Sequence, residues 1–185
     1  MSTSIFSHPA CLEHRPGPHH PESPQRLDAV LQALEAPEFA AAQRCEAPRG
    51  SREQILLVHS GAYFDAVEAA GPSQGFRALD GGDTIMSPGS WEAVLRCVGA
   101  ACAAVDSVLG GEARNAFCAT RPCGHHAEAE RAMGFCIFNQ AAIAALHARA
   151  AHGLRRVAVV DFDVHHGNGT QNCFYDDPDL CYGSS

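Results

Sequence analysis

Val157-Ala158-Val159-Val160-Asp161-Phe162-Asp163-Val164-His165-His166-Gly167-Asn168-Gly169-Thr170 sets two carboxylates and two imidazoles directly behind an apolar, β-branched run. A short run of that kind reads as a buried strand. In an open parallel sheet, ligand sites lie beyond the carboxyl ends of the strands. Side chains alternate along an extended segment, so Asp161, Asp163 and His165 are expected on one side. A carboxylate and an imidazole two residues apart can then converge on one cation. Mixed oxygen and nitrogen ligands suit zinc better than calcium or magnesium. The stretch reads as half of a metal site.

Upstream, Asn115 to Thr120 reads as another short strand, followed by Arg121-Pro122-Cys123-Gly124-His125-His126. Pro122 and Gly124 break the strand and leave two adjacent histidines on a loop at the same end of the sheet. Gly134-Phe135-Cys136-Ile137-Phe138-Asn139 then leads into a helix with Ile143, Leu146 and Ala150 on one face, ending at Gly153. A long helix carries Trp91, Val94, Leu95, Val98, Cys102, Val105 and Leu109 and stops at Gly110-Gly111. Leu27, Val30, Leu31 and Leu34 mark a helix that ends before Pro37. Ile55-Leu56-Leu57-Val58 reads as a strand, Ser60 as the cap of a helix through Phe64 and Val67, and residues 71–82 as a glycine-rich loop. Helices that precede strands 115–120 and 156–161 imply crossover connections. The expected architecture is a three-layer αβα fold with a mainly parallel sheet covered on both faces, in a single domain over residues 1–185.

The composition fits an intracellular enzyme. The 185 residues are 46% hydrophobic and 18% charged, with a net charge of −8. That charge gives no electrostatic reason to expect nucleic acid or an anionic membrane, and it tolerates cationic substrates such as lysine side chains or polyamines. Nine cysteines form no Cys-x-x-Cys pair and lie mostly in apolar runs, as reduced core thiols do. The N-terminus lacks a charged-then-apolar signal pattern, and no apolar run approaches the ~20 residues that span a bilayer. A cytoplasmic location is expected.

Taken together, Arg-Pro-Cys-Gly-His-His at 121–126, Gly-Phe-Cys-Ile-Phe-Asn at 134–139 and Asp-Phe-Asp-Val-His-His-Gly-Asn-Gly-Thr at 161–170 resemble the zinc-dependent histone deacetylase and acetylpolyamine amidohydrolase family. His20-Pro21-Glu22-Ser23-Pro24-Gln25-Arg26 and Ser87-Pro88-Gly89-Ser90 fit it too, and Asn168 with the latter segment leans toward its class II and bacterial branch. The resemblance spans nearly the whole chain, in order and spacing. It implies an arginase–deacetylase-like fold and a hydrolase that removes acetyl or other acyl groups from acyl-lysine or acetylpolyamine with metal-activated water. Asp163 and His165 would be zinc ligands, His126 the general base and His125 its electrostatic partner, oriented by Asn168 and Asp161 respectively. Gly134 would receive the substrate amide N–H on its carbonyl, Phe135 would flank the acyl-lysine methylenes, and Arg26 corresponds to an arginine at an internal channel. Asp161, Ser184, Ser185 and Phe174 match the surroundings of a monovalent-cation site, with K+ as its occupant. Oligomeric assembly is left open.

The family draws a third zinc ligand and a carbonyl-polarising tyrosine from later positions, so the chain is expected to be the N-terminal portion of a deacetylase domain. As residues 1–185 alone, it is expected to be inactive and poorly soluble. A different class of reading is a non-catalytic module that binds acylated ligands or partner chains. A binuclear manganese hydrolase of arginase type is disfavoured, because it would leave His125 and His126 without a role. Gly167-Asn168-Gly169-Thr170 lacks the lysine of a phosphate loop. His147 and His152 read as surface residues, and Asp176-Asp177-Pro178-Asp179 as a solvated turn.

Overall fold

Short strands alternate with helices through residues 3–185, the part of the chain that the computed structural model describes. Strand β1 (Thr3–Ser7) leads to helix α1 (Pro24–Ala33), strand β2 (Gln43–Glu46), helices α2 (Arg52–Ile55) and α3 (Gly61–Ala70), and a small hairpin of β3 (Arg77–Ala78) and β4 (Ile85–Met86). Helix α4 (Ser90–Leu109), strand β5 (Asn115–Cys118), helix α5 (Gln140–His152), strand β6 (Val157–Asp161), helix α6 (Asn168–Phe174) and strand β7 (Leu180–Ser184) follow. β1 pairs in parallel with β2 on one side and β5 on the other, and β6 pairs in parallel with β7. Among the strands of the described residues, only β3 and β4 pair antiparallel. This is the α/β class with mainly parallel strands that the alternation of patterns predicts.

The helix boundaries follow local chemistry. The Ser60 hydroxyl accepts from the Tyr63 N–H and starts α3, and Asn139 does the same for α5 through the Ala142 N–H. α5 ends at Gly153, whose φ of 70° is left-handed. One face of α4 supplies Val94, Leu95, Val98 and Cys102 to a core shared with Ile55, Phe64 and Val67, and with Ile137, Phe138 and Ile143. That core fixes α4 and α5 against each other, and with them the two segments that lead into β5 and β6.

Two expectations need correction. Ile55 to Val58 is not a strand: Arg52–Ile55 is a helical turn closed by a capping box between Ser51 and Gln54, and the chain turns again through Leu56 and Leu57. Nor is β6 buried on both faces, since Val160 is 77% exposed and Phe162 and Val164 beyond it are more exposed still. Alternate residues of β6 face α5 and α6, and the opposite face is open.

Candidate active site

The histidine loop after β5 is held from below by a buried ion pair. Arg121, 4% exposed, donates its Nε to Glu22 Oε1 at 2.9 Å and a second N–H to Glu22 Oε2. It also donates to the carbonyls of Cys11 and His14 at 2.8 and 2.6 Å. Four of the five guanidinium donors are used in this cradle, which is why an arginine survives burial here. The Arg121–Pro122 bond is cis. From this anchor the loop presents His125 and His126 with ring centroids 4.1 Å apart.

The two imidazoles have different partners. His125 Nδ1 lies 2.9 Å from Asp161 Oδ2 at the end of β6, and the carboxylate can only accept, so Nδ1 carries the proton. Asp161 Oδ2 also accepts from the Tyr182 hydroxyl at 2.9 Å, and Tyr182 in turn accepts from the Gly167 N–H. Burial pushes the Asp161 carboxyl up, but the bonds from His125 and Tyr182 outweigh it and hold it below its ordinary value. His126 Nδ1 lies 2.7 Å from Asn168 Oδ1 in the first turn of α6. The Asn168 amide nitrogen donates to Glu128 Oε1 at 3.0 Å, which fixes the oxygen toward His126 and so the proton on His126 Nδ1.

The segment after β6 bends instead of continuing extended, and its own carboxylates shape it. Asp161 Oδ1 accepts from the Asp163 N–H, and Asp163 Oδ1 accepts from the His165 N–H at 2.8 Å. The latter bond chiefly lowers the Asp163 pKa. The expected alternation of side chains is thus replaced by a turn, yet Asp163 and His165 still meet, with His165 Nδ1 3.2 Å from Asp163 Oδ1. Two ligands bonded at ~2.0–2.1 Å to one tetrahedral zinc stand roughly 3.3 Å apart. The donor pair therefore fits a zinc ion by type and by spacing. His125 Nε2, 4.0 Å from the same Asp163 oxygen, adjoins this pair.

Gly134 could not be another residue. Its φ is +56°, and a Cβ there would stand 2.4 Å from His126 Cδ2. Gly167 is constrained from the other side, because its Cβ would meet Asp161 Oδ2 at 2.4 Å. Phe135 is held at φ 69° by a bond from its N–H to Thr84 Oγ1 and by an edge-on contact with His20. A cavity of about 500 Å³ opens over His126, Gly134 and Asn168, rimmed by Asp80, Asp83 and Arg131. His125, Asp161 and Asp163 line a separate one of about 250 Å³. Arg26 stands apart: exposed, it lies 3.7 Å from Glu22 and lines a third cavity with Arg121 and Cys123.

Residues 20–185 match the model of the histone deacetylase domain family. The chain belongs to that family. Among relatives of this deacetylase domain, it is 39% identical to a histone deacetylase-like amidohydrolase of Pseudomonas aeruginosa, over 94% of this chain and 50% of the relative. It is 42% identical to the human polyamine deacetylase HDAC10, over 88% of this chain and 25% of that protein. A crystal structure of the HDA15 HD domain superposes on it with a TM-score of 0.93 at 33% identity, covering 99% of this chain and 53% of the other. The fold is thus the arginase–deacetylase α/β fold, and the chain spans between a quarter and a half of these curated relatives.

Within the deacetylase domain, β6–β7 pairing sets Asp161 opposite Ser184, and the Ser185 N–H donates to the Asp161 carbonyl. Phe174 is buried in an apolar cluster with Ala142, Ala145 and Leu180. Sequence reasoning missed Tyr182 and Glu128, the residues behind Asp161 and Asn168, and it read the buried Arg121 only as part of a motif. Tyr182 has no motif of its own; only the β6–β7 register, Val159 opposite Tyr182, brings it to the site.

Proposed function

We propose that the protein is a zinc-dependent amidohydrolase that removes an acetyl or other acyl group from an acyl-lysine or an acetylated polyamine. The observation that carries this reading is the pair of adjacent imidazoles, each fixed at Nδ1 by a different partner, beside a carboxylate and an imidazole spaced for one zinc ion. Asp163 and His165 would hold the metal. When bound, it would polarise the scissile carbonyl and acidify water.

The remaining chemistry belongs to the side chains. With its proton on Nδ1, His126 has Nε2 free to accept a proton from the attacking water, and that same nitrogen can then return it to the departing amine. Asn168 keeps the ring in this tautomer without adding charge. Asp161 holds His125 by Nδ1 and so orients the ring as the electrostatic partner of His126. The Gly134 carbonyl would receive the substrate amide N–H, and Phe135 would line the path of the acyl-lysine chain. Asp80 and Asp83 at the rim give that path an acidic mouth, which suits a cationic amine. Arg26 would line an internal channel beneath the metal, and K+ would sit near Asp161, Ser184, Ser185 and Phe174. Among the described residues no helix is long and apolar enough to cross a membrane, and the nine free thiols support a reducing, cytoplasmic setting.

The test compares the intact protein with its Asp163→Ala variant, measuring zinc by elemental analysis and release of acetate from an acetyl-lysine peptide and from a monoacetylated polyamine. The parent should hydrolyse at least one substrate, and the variant should lose both activity and one equivalent of zinc. Undiminished activity or unchanged zinc in the variant would move the reaction elsewhere.

A further inference from the structure

A second cluster of metal-binding side chains lies far from this site. Asp106 stands in the last turn of α4, His147 in the second half of α5, and His152 is the last residue of α5. His147 Nε2 and His152 Nε2 each lie 2.7 Å from the same oxygen, Asp106 Oδ1. Among the described residues, these are the only three His, Cys or acidic side chains whose ligand atoms all lie within 4.8 Å of one another. They do not belong to the catalytic constellation. His152 precedes the start of β6, whereas Asp161 and Asp163 lie at or beyond its end, so roughly 16 Å of strand separates the two.

We propose that Asp106, His147 and His152 form a second zinc site, which clasps the C-terminal end of α5 to that of α4. Two imidazole nitrogens and a carboxylate oxygen are a donor set that zinc prefers, and three protein ligands leave a fourth position for water. Both rings use only Nε2, and neither Nδ1 has a partner among the described residues. In this arrangement each Nε2 donates to the Asp106 carboxylate; on metal binding the proton would move to Nδ1 and free the Nε2 lone pair for the ion. His147 is 12% and His152 25% exposed, which positions the rings, while Asp106 at 50% leaves a path for the ion. Without metal, the same three groups close on each other as two hydrogen bonds to one oxygen. The ion would replace that compact arrangement with bonds that tie together the helices leading into β5 and β6.

The experiment uses the intact protein, stripped with chelator and dialysed against zinc chloride, with bound zinc counted by elemental analysis. The Asp163→Ala variant should still bind one equivalent, and its melting temperature should rise with zinc. Adding Asp106→Asn or His152→Gln should raise the zinc dissociation constant by at least about tenfold, with the circular dichroism spectrum unchanged. In the otherwise unaltered protein, zinc should also protect His147 and His152 from diethyl pyrocarbonate, read residue by residue by mass spectrometry. This second readout stands even if Asp163→Ala misfolds, and neither depends on catalysis. Equal modification of both histidines with and without zinc, or equal zinc affinity in the Asp106→Asn and parent proteins, would reduce the cluster to a hydrogen-bonded trio and overturn the proposal.

Discussion

His59, in the interior between α3 and α5, and His126, at the mouth of the site, are both imidazoles held by hydrogen bonds, yet they spend their ring nitrogens differently. His59 is 2% exposed; its Nδ1 donates to the Ala129 carbonyl and its Nε2 accepts from the Asn139 N–H at 2.9 Å. Burial holds it at a pKa of about 4. Asn139 in turn caps α5 and donates to Ala127 and Thr170, so His59 works as a post between the helices and the histidine loop. His126 spends only Nδ1, on Asn168, and keeps Nε2 toward a cavity. The proposed catalytic imidazole thus has one nitrogen fixed and one without a hydrogen bond, where the structural one has both engaged.

The sharpest test of that contrast is His126→Ala. It should lower kcat on the order of 10² to 10⁴ while zinc content and melting temperature stay near those of the parent. A variant with unchanged kcat would erase the distinction. His59 should show the opposite signature. Its folded pKa is depressed from its ordinary value of 6.5 to about 4, so the unfolded chain binds the proton first. The stability it contributes is full above pH 6.5 and is lost as pH falls toward 4, on the order of 3 kcal/mol in all. His14, held at about 3 chiefly by burial, extends that loss to lower pH. Urea denaturation at pH 7.0 and 5.2, above the range in which most carboxylates titrate, should already show the decline, and equal stabilities would contradict it.

Smaller effects probe the partners behind each ring. Asp161→Asn can still accept from His125 Nδ1 but removes the charge, and kcat should fall on the order of tenfold. No change would mean that the Asp161 charge plays no part in the reaction. Glu128→Gln should weaken the bond that fixes the Asn168 amide, at a cost of roughly 1 kcal/mol or about fivefold in kcat with KM unchanged. A loss confined to KM would instead place Glu128 in substrate binding.

Much of this was legible in the sequence, because the site is built from local motifs at strand ends. Asp161, Asp163 and His165 are separated by single residues, and His125 and His126 are adjacent, so spacing alone brings them near each other. What stayed hidden depends on register or on distant packing. Tyr182 reaches Asp161 only through the β6–β7 pairing, and Glu128 reaches Asn168 across 40 residues. The misreading of Ile55 to Val58 had a remedy in plain view: Ser51-Arg52-Glu53-Gln54 is a capping-box pattern, and it should outweigh a four-residue apolar run of ambiguous period. The run before Asp161 reports β-branching correctly but cannot say which face is covered.

The Glu22–Arg121 pair bears on how the molecule is made as well as on how it is held. Arg121 bonds to partners 99, 107 and 110 positions earlier in the chain, and His125 and His126 hang directly from that junction. Contacts of such high sequence separation are expensive in loop-closure entropy and slow to form. The histidine loop should therefore order late, after the N-terminal segment has docked. In a refolding experiment, catalytic competence should lag behind the recovery of helical signal, and the lag should lengthen when Glu22 is replaced.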